Sequence, residues 1–254
     1  MILNTVEMGE GPPLVLLHGL FGAARNWGAL QKRLAARHRV LAMDLRNHGE
    51  SPHAEGMAHA ATARDVAETL HARGVSRAVV VGHSLGGKVA MALALHHPGF
   101  LAGLVVADIA PVRYPPALRG HVAAMRALPL KEGLTRREAD AALAASVPDA
   151  TIRAFLLQSL DLEASPPRWR LGLAEIHAAM PEIEDFREEG RYDDATLVIV
   201  GGRSDYIRAE HRPLFRRLFP AARFAVIEEA GHWVHAEKPN EFLALVQEFC
   251  GGAG

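Results

Sequence analysis

The sequence predicts an α/β protein in which a mostly parallel central sheet is flanked by helices and interrupted by an inserted helical cap. Three observations predict it. Short runs rich in Val, Leu and Ile recur between longer helical patterns. These runs are continuously apolar rather than alternating, as expected of strands covered on both faces. One span, residues 111–190, breaks the alternation and carries helical patterns alone, which marks an insertion into a layered fold.

The strand candidates are Leu14–Leu17, Val40–Met43, Ala78–Val81, Leu104–Ala107, Leu197–Val200 and Phe224–Ile227. After the third, Val89–His97 reads as a helix stopped by Pro98. Within the insertion, Ala117–Leu128, Arg136–Ser146, Thr151–Leu160 and Trp169–Met180 read as short helices, separated by Pro129, Pro148, Pro166-Pro167 and Pro181. Strand patterning resumes at Thr196. The chain thus divides into a core of residues 1–110 and 191–254 and a cap of residues 111–190. The cap is expected over the sheet's carboxyl edge, where ligands bind in open α/β sheets.

The composition narrows the function. With 254 residues, 49% of them hydrophobic, the chain can bury a full core without staples. Its 28 basic and 29 acidic residues nearly cancel, so no global field is available to hold nucleic acid or an anionic membrane. Cys250, the single cysteine, excludes an internal disulfide framework and any multi-cysteine zinc site. The N-terminal MILNTVEMGEGPP has neither a basic n-region nor a long apolar run, and no stretch approaches about 18 uninterrupted apolar residues. A cytoplasmic protein that engages neither membrane nor nucleic acid is expected.

The stretch VVVGHSLGGKVA, residues 79–90, carries the chemistry and admits two readings. Gly82, four intervening residues and then Gly87-Lys88 make up most of a phosphate-binding loop. That loop needs a Ser or Thr hydroxyl after the lysine to ligate magnesium, and Val89 has none. Read instead as G-x-S-x-G over Gly82–Gly86, the stretch is a strained strand-to-helix turn that presents Ser84 as a nucleophile. The required context of strand, turn and helix is met. Lys88 is then expected to be an exposed residue of the helix's first turn.

A serine hydroxyl needs a base, and the base needs a carboxylate to orient it. Fourteen histidines compete for the role of base. His232 is singled out because it follows Ala230-Gly231 just beyond the last strand. His235 suggests a metal partner, but no third ligand has suitable spacing, so neither metal nor cofactor is called for. An oxyanion hole needs two backbone N–H groups. Leu85, the residue after the nucleophile, supplies one. The glycine-rich loop His18-Gly19-Leu20-Phe21-Gly22 supplies the other, from Leu20 or Phe21. His18 is read as a brace for that loop, and Asp44–Ser51 as a hydrogen-bonded turn that buttresses it.

With these residues assembled, the chain resembles the α/β-hydrolases almost end to end. The segments LLHGLFGAARNW, DLRNHGESPH, VVVGHSLGGK, VADIAP, VIVGGRSDYI and AGHWVHAEKP fall in the expected order. The resemblance is strongest to the small esterase branch that contains bacterial carboxylesterases and mitochondrial α/β-hydrolase-domain proteins. It implies a serine hydrolase with a Ser-His-Asp triad, but leaves the acid open between two aspartates. Many members of the fold place it after the penultimate strand, which would indicate Asp205, one residue beyond the counted position, Ser204. The resembling branch uses the Asp of D-I-x-P, which indicates Asp108.

The expected function is a serine carboxylesterase acting on small to medium acyl esters, with thioesters attacked by the same route. Cofactor-free perhydrolase or haloperoxidase chemistry on the same triad is one alternative, and a non-catalytic ligand-binding homologue another. Apolar candidates for the substrate pocket are Phe21, Met125, Phe155 and Trp233, with Leu128, Leu156, Leu160 and Trp169 also available from the cap.

Overall fold

The computed structural model describes residues 1–252. Following the chain, β1 (Thr5–Met8) and β2 (Pro13–Leu17) precede α1 (Gly28–Leu34), and β3 (Arg39–Met43) precedes α2 (His59–Ala72). Next come β4 (Ala78–His83), α3 (Leu85–His96) and β5 (Leu101–Ala107). The segment after β5 holds α4 (Arg119–Ala127), α5 (Arg136–Leu143), α6 (Ala150–Leu156), the strands β6 (Leu160–Asp161) and β7 (Arg168–Trp169), and α7 (Leu173–Glu184). The chain closes with β8 (Thr196–Gly201), α8 (Arg212–Leu218), β9 (Ala222–Ile227), α9 (Val234–Glu237) and α10 (Pro239–Gly252).

Among the described residues the main sheet has seven strands in the order β1-β3-β2-β4-β5-β8-β9, all parallel except β1, which runs antiparallel to β3. The six apolar runs read from the sequence are its parallel strands. Their continuous hydrophobicity has the expected cause. Val15, Leu17 and Val80 face one apolar layer, while Leu14, Leu16, Val79 and Val81 face the other. Each buried aliphatic side chain contributes about 1.5–3 kcal/mol of transfer free energy, so both faces drive the same pairing.

The segment between β5 and β8 holds four helices and, against the expectation of helices alone, the short β6–β7 ribbon, with local signals setting the helix boundaries. Thr135 accepts the N–H of Glu138 while the Glu138 carboxylate accepts the N–H of Thr135, a reciprocal cap that starts α5. Asp149 caps α6 through the N–H of Thr151, 2.7 Å away.

Three expectations require correction. Leu160 and Trp169 pair in the small β6–β7 ribbon, so the expected helix Thr151–Leu160 stops short of Leu160 and the last helix of the segment starts at Leu173. Pro181 does not end that helix, which runs on to Glu184. Lys88 is not exposed: only 2% of its surface is accessible, and its Nζ donates to the carbonyls of Ile183, Glu184 and Asp185 at 3.2, 3.0 and 2.9 Å. A cation at the negative end of α7 complements the helix dipole there, and its three N–H groups satisfy carbonyls that the helix itself leaves open.

Candidate active site

Strand order places the site. From β2 the chain steps to β3 on one side, while β4 lies on the other, so the carboxyl ends of β2 and β4 flank a topological switch point. The loop His18–Gly22 leaves β2 there, and Ser84 directly follows β4.

Ser84 adopts φ +52° and ψ −118°, a strained conformation for a residue with a side chain. The flanking glycines are dictated by contact. A Cβ on Gly82 would lie 2.1 Å from the Gly86 carbonyl oxygen, and one on Gly86 would lie 2.3 Å from that of Leu17. The turn is closed by Gly87 and Lys88, whose N–H groups donate to the Ser84 carbonyl at 2.9 and 3.1 Å.

His232 stands in the loop beyond β9, and its Nδ1 donates to Oδ2 of Asp108 at 2.9 Å. This leaves Nε2 as the unprotonated nitrogen of the neutral ring. The ring stacks on Tyr206 with centroids 3.7 Å apart. His83, the neighbour of Ser84, donates from Nε2 to the backbone carbonyl of His232 at 2.9 Å, which fastens the histidine loop to the serine turn. Burial drives the pKa of His83 well below its ordinary value, with the nearby His235 and His232 adding to the shift, so the ring stays neutral.

Asp108 is fully buried and, like Ser84, has a positive φ, +48°. Its Oδ1 accepts the Gly201 N–H at 2.9 Å, and its Oδ2 also accepts the hydroxyl of Ser204. Ser204, at the position first counted for the acid, is therefore a donor to the carboxylate that meets His232. Asp205 is exposed on the neighbouring bend.

The glycine-rich loop distinguishes its two candidate donors. The N–H of Phe21, which has φ +66°, donates to Nε2 of His48 at 3.2 Å, and that of Gly22 donates to the Gly19 carbonyl at 3.0 Å. Among the described residues, the N–H groups of Leu20 and Leu85 have no acceptor. His18 and His48 brace the loop alike. Nδ1 of His18 donates to the Gly19 carbonyl at 2.8 Å and Nδ1 of His48 to that of Arg46 at 2.8 Å. Nε2 of His18 accepts the Leu45 N–H at 3.0 Å. Burial, with the neighbouring His18 adding to the shift, lowers the pKa of His48 to about 3. Asp44 anchors the Asp44–Ser51 turn by accepting N–H groups from Ala24 at 2.6 Å and Glu50 at 2.9 Å.

A cavity of about 290 Å³ opens above Ser84, with Leu20, Phe21, Phe155, His232 and Trp233 in its wall. Three of the four expected pocket residues thus line it. Met125 does not: it is on the inward face of α4, fully buried beside Val122, and only its carbonyl is engaged, by the Trp169 indole N–H at 3.0 Å. Leu128, Leu160 and Trp169 likewise pack into the apolar layer, whereas Leu156 reaches the cavity. Tyr206, Ser204 and His83 were not anticipated as site residues. Their positions depend on how three separate loops meet, and no local pattern encodes that.

The family model of the α/β-hydrolase fold matches residues 12–239. The chain belongs to the α/β-hydrolase family, and it is a hydrolase of the esterase and lipase type. It is 39% identical to the mouse sn-1-specific diacylglycerol lipase ABHD11 over 94% of this chain and 80% of the relative. It is 37% identical to esterase YbfF of Escherichia coli over 93% of this chain and 92% of that one. A solved marine microorganism esterase superposes with a TM-score of 0.94 at 32% identity, covering 98% of this chain and 99% of the other. Among the described residues no helix is long and apolar enough to cross a membrane.

Proposed function

We propose that this hydrolase is a serine carboxylesterase that forms an acyl-enzyme on Ser84. The observation that carries the reading is the 2.9 Å hydrogen bond from Nδ1 of His232 to the buried Asp108, beside a strained serine turn in one cavity. Nε2 of His232 takes the proton of Ser84 as Oγ bonds to the ester carbonyl carbon. The charge that develops on the carbonyl oxygen is met by the N–H groups of Leu20 and Leu85, which are otherwise unpaired. Asp108 holds the imidazole in the required tautomer and stabilises the imidazolium. The protonated ring then gives its proton to the leaving alkoxide as the carbon–oxygen bond breaks, and water repeats the cycle to release the acid.

Residues 111–190 act in this reading as a cap over the cavity. Phe155 from α6 faces Trp233 of the histidine loop with ring centroids 6.1 Å apart, which supports a substrate enclosed between the two. The walls are mainly apolar, suited to the hydrocarbon parts of a small to medium ester.

The test is hydrolysis of p-nitrophenyl butyrate by the wild type and by Ser84→Ala. The variant is expected to lose about 10³-fold or more in kcat/KM. Full turnover by Ser84→Ala would remove Ser84 from the chemistry.

A further inference from the structure

We propose that a second, smaller chamber beside Ser84 receives the acyl group, that it fits a short chain, and that Lys88 fixes its size. This rests on the acyl-enzyme reading above. The chamber, of about 60 Å³, has Leu85, Ile109, Met180, Ile183 and Tyr206 among its walls.

The two cavities are distinguished by which part of the site faces them. Ser84 and Leu20 line both. His232 and Trp233 line only the larger, and Leu85 only the smaller. Place the ester carbonyl carbon on Ser84 Oγ with its oxygen between the N–H groups of Leu20 and Leu85. The leaving oxygen must then face His232, which protonates it, and so the alcohol extends into the larger cavity. The remaining substituent, the acyl chain, is directed into the smaller one.

Size follows from volume. At about 10–15 Å³ for each water-sized group, the chamber of about 60 Å³ accepts roughly four to six such groups, which limits the acyl group to a short chain of a few carbons. The larger cavity, about 290 Å³, accommodates an aryl or other bulky alcohol.

The wall that limits the chamber is α7, which contributes Met180 and Ile183. Lys88, in the first turns of α3, holds the end of that helix through its three carbonyl contacts, and its ammonium lies 5.0 Å from the centre of the Tyr114 ring. With its three N–H groups spent on Ile183, Glu184 and Asp185, it has no donor left for a substrate. Lys88 thus enters the chamber in two ways: it is itself part of the wall, and its ammonium positions Ile183 beside it. The Glu184 carboxylate is held independently by Arg119 at 2.8 Å, which fixes the same helix end to α4.

The experiment is a series of p-nitrophenyl esters, acetate, butyrate, octanoate and dodecanoate, with the wild type, Ile183→Ala and Lys88→Met. Labelling of Ser84 by a fluorophosphonate is followed in parallel. For the wild type, kcat/KM is expected to peak at acetate or butyrate and fall at least about tenfold by octanoate. Ile183→Ala should raise octanoate turnover relative to butyrate, mainly through a lower KM for octanoate. Lys88→Met should flatten the profile, because α7 loses its clamp. A wild type that prefers octanoate or dodecanoate while Ser84 is labelled overturns the chamber assignment and leaves the acyl-enzyme reading standing. No turnover and no labelling overturn both. An unchanged chain-length profile in folded Lys88→Met overturns the role of Lys88. If Lys88→Met does not fold, an unshifted profile in Ile183→Ala overturns the chamber.

Discussion

The N–H of Phe21 donates to Nε2 of His48, 3.2 Å away, and this contact supports Leu20 over Phe21 as the loop's donor in the proposed oxyanion hole. The Phe21 donor is spent, while the adjacent Leu20 lines the cavity above Ser84 and its N–H has no acceptor among the described residues. His48 can accept only because its Nδ1–H is fixed on the Arg46 carbonyl and its buried ring stays neutral. His48→Phe keeps a ring of similar size but offers no acceptor, which leaves a buried N–H unsatisfied at a cost of about 1–3 kcal/mol. The loop should shift as Phe21 seeks another partner. We expect kcat to fall about ten- to hundredfold with KM for p-nitrophenyl butyrate nearly constant. A lower Tm at wild-type kcat would confine His48 to stability.

The acid of the proposed triad is separable by paired substitutions. Asp108→Asn preserves shape and the Gly201 N–H contact but can stabilise the wrong His232 tautomer, and kcat should drop by about 10⁴. Asp205→Asn, on the exposed bend, should change kcat by no more than about twofold. Steady-state kinetics of both variants decide it, and reversed magnitudes would give the role to Asp205.

Acid sensitivity follows from the buried histidines. Burial lowers the pKa of His48 and His235 to about 3 and that of His59 to about 4, with His18, His232 and Lys88 respectively adding repulsion. Each folded-state value lies below the unfolded value of about 6.5, so between the two the unfolded chain binds more protons. The stability these histidines contribute is therefore full above about pH 6.5 and is lost as pH falls toward 3, by up to about 1.4 kcal/mol per pH unit for each. His235 is the informative site. Its ring packs on Trp27 with centroids 4.5 Å apart, and among the described residues its Nδ1 has no partner. Urea unfolding from pH 7 to pH 5 should show a steep loss for the wild type and a slope shallower by up to one proton for His235→Phe. Equal slopes would mean that His235 takes up no proton on unfolding.

What the sequence disclosed, and what it did not, follows the range of the interactions. The parallel strands were legible because burial on both faces makes each run apolar regardless of its neighbours. The edge strand β1, TVEM, was not: three of its four residues are exposed, so no continuous apolar run marks it. The serine turn was legible because Gly82 and Gly86 are required by contacts within a few residues of Ser84 or with the adjacent strand. Lys88 was misread as exposed because its acceptors, the carbonyls of Ile183 to Asp185, lie nearly a hundred residues away and carry no side-chain signature. Met125 and Phe155 are similar apolar residues on helices of one segment. Only the orientation of α4 and α6 separates the buried one from the one that lines the cavity.

The two glycines at the starts of α1 and α3 predict opposite outcomes for one chemical change. Gly86 is in α3, where the strained backbone belongs to Ser84, so its lack of a side chain serves close approach. An added Cβ would meet the carbonyl oxygens of Leu17 and His18 at 2.3 and 2.6 Å. Those atoms are main chain, and the strand bearing Leu17 is paired on both sides, so neither can yield without moving the loop that carries Leu20. Gly86→Ala should cost at least about 1–3 kcal/mol and displace the proposed oxyanion donor, with kcat falling about a hundredfold or more in whatever protein folds. Gly28 opens α1 with φ −49°, and a Cβ there would meet nothing within 4 Å. Gly28→Ala should stabilise by about 0.4–1 kcal/mol at unchanged activity, because alanine has less freedom to lose on folding. Thermal unfolding and p-nitrophenyl butyrate turnover of the two variants test the contrast. Wild-type kcat in Gly86→Ala would show that the β2 backbone can retreat without disturbing the proposed oxyanion site.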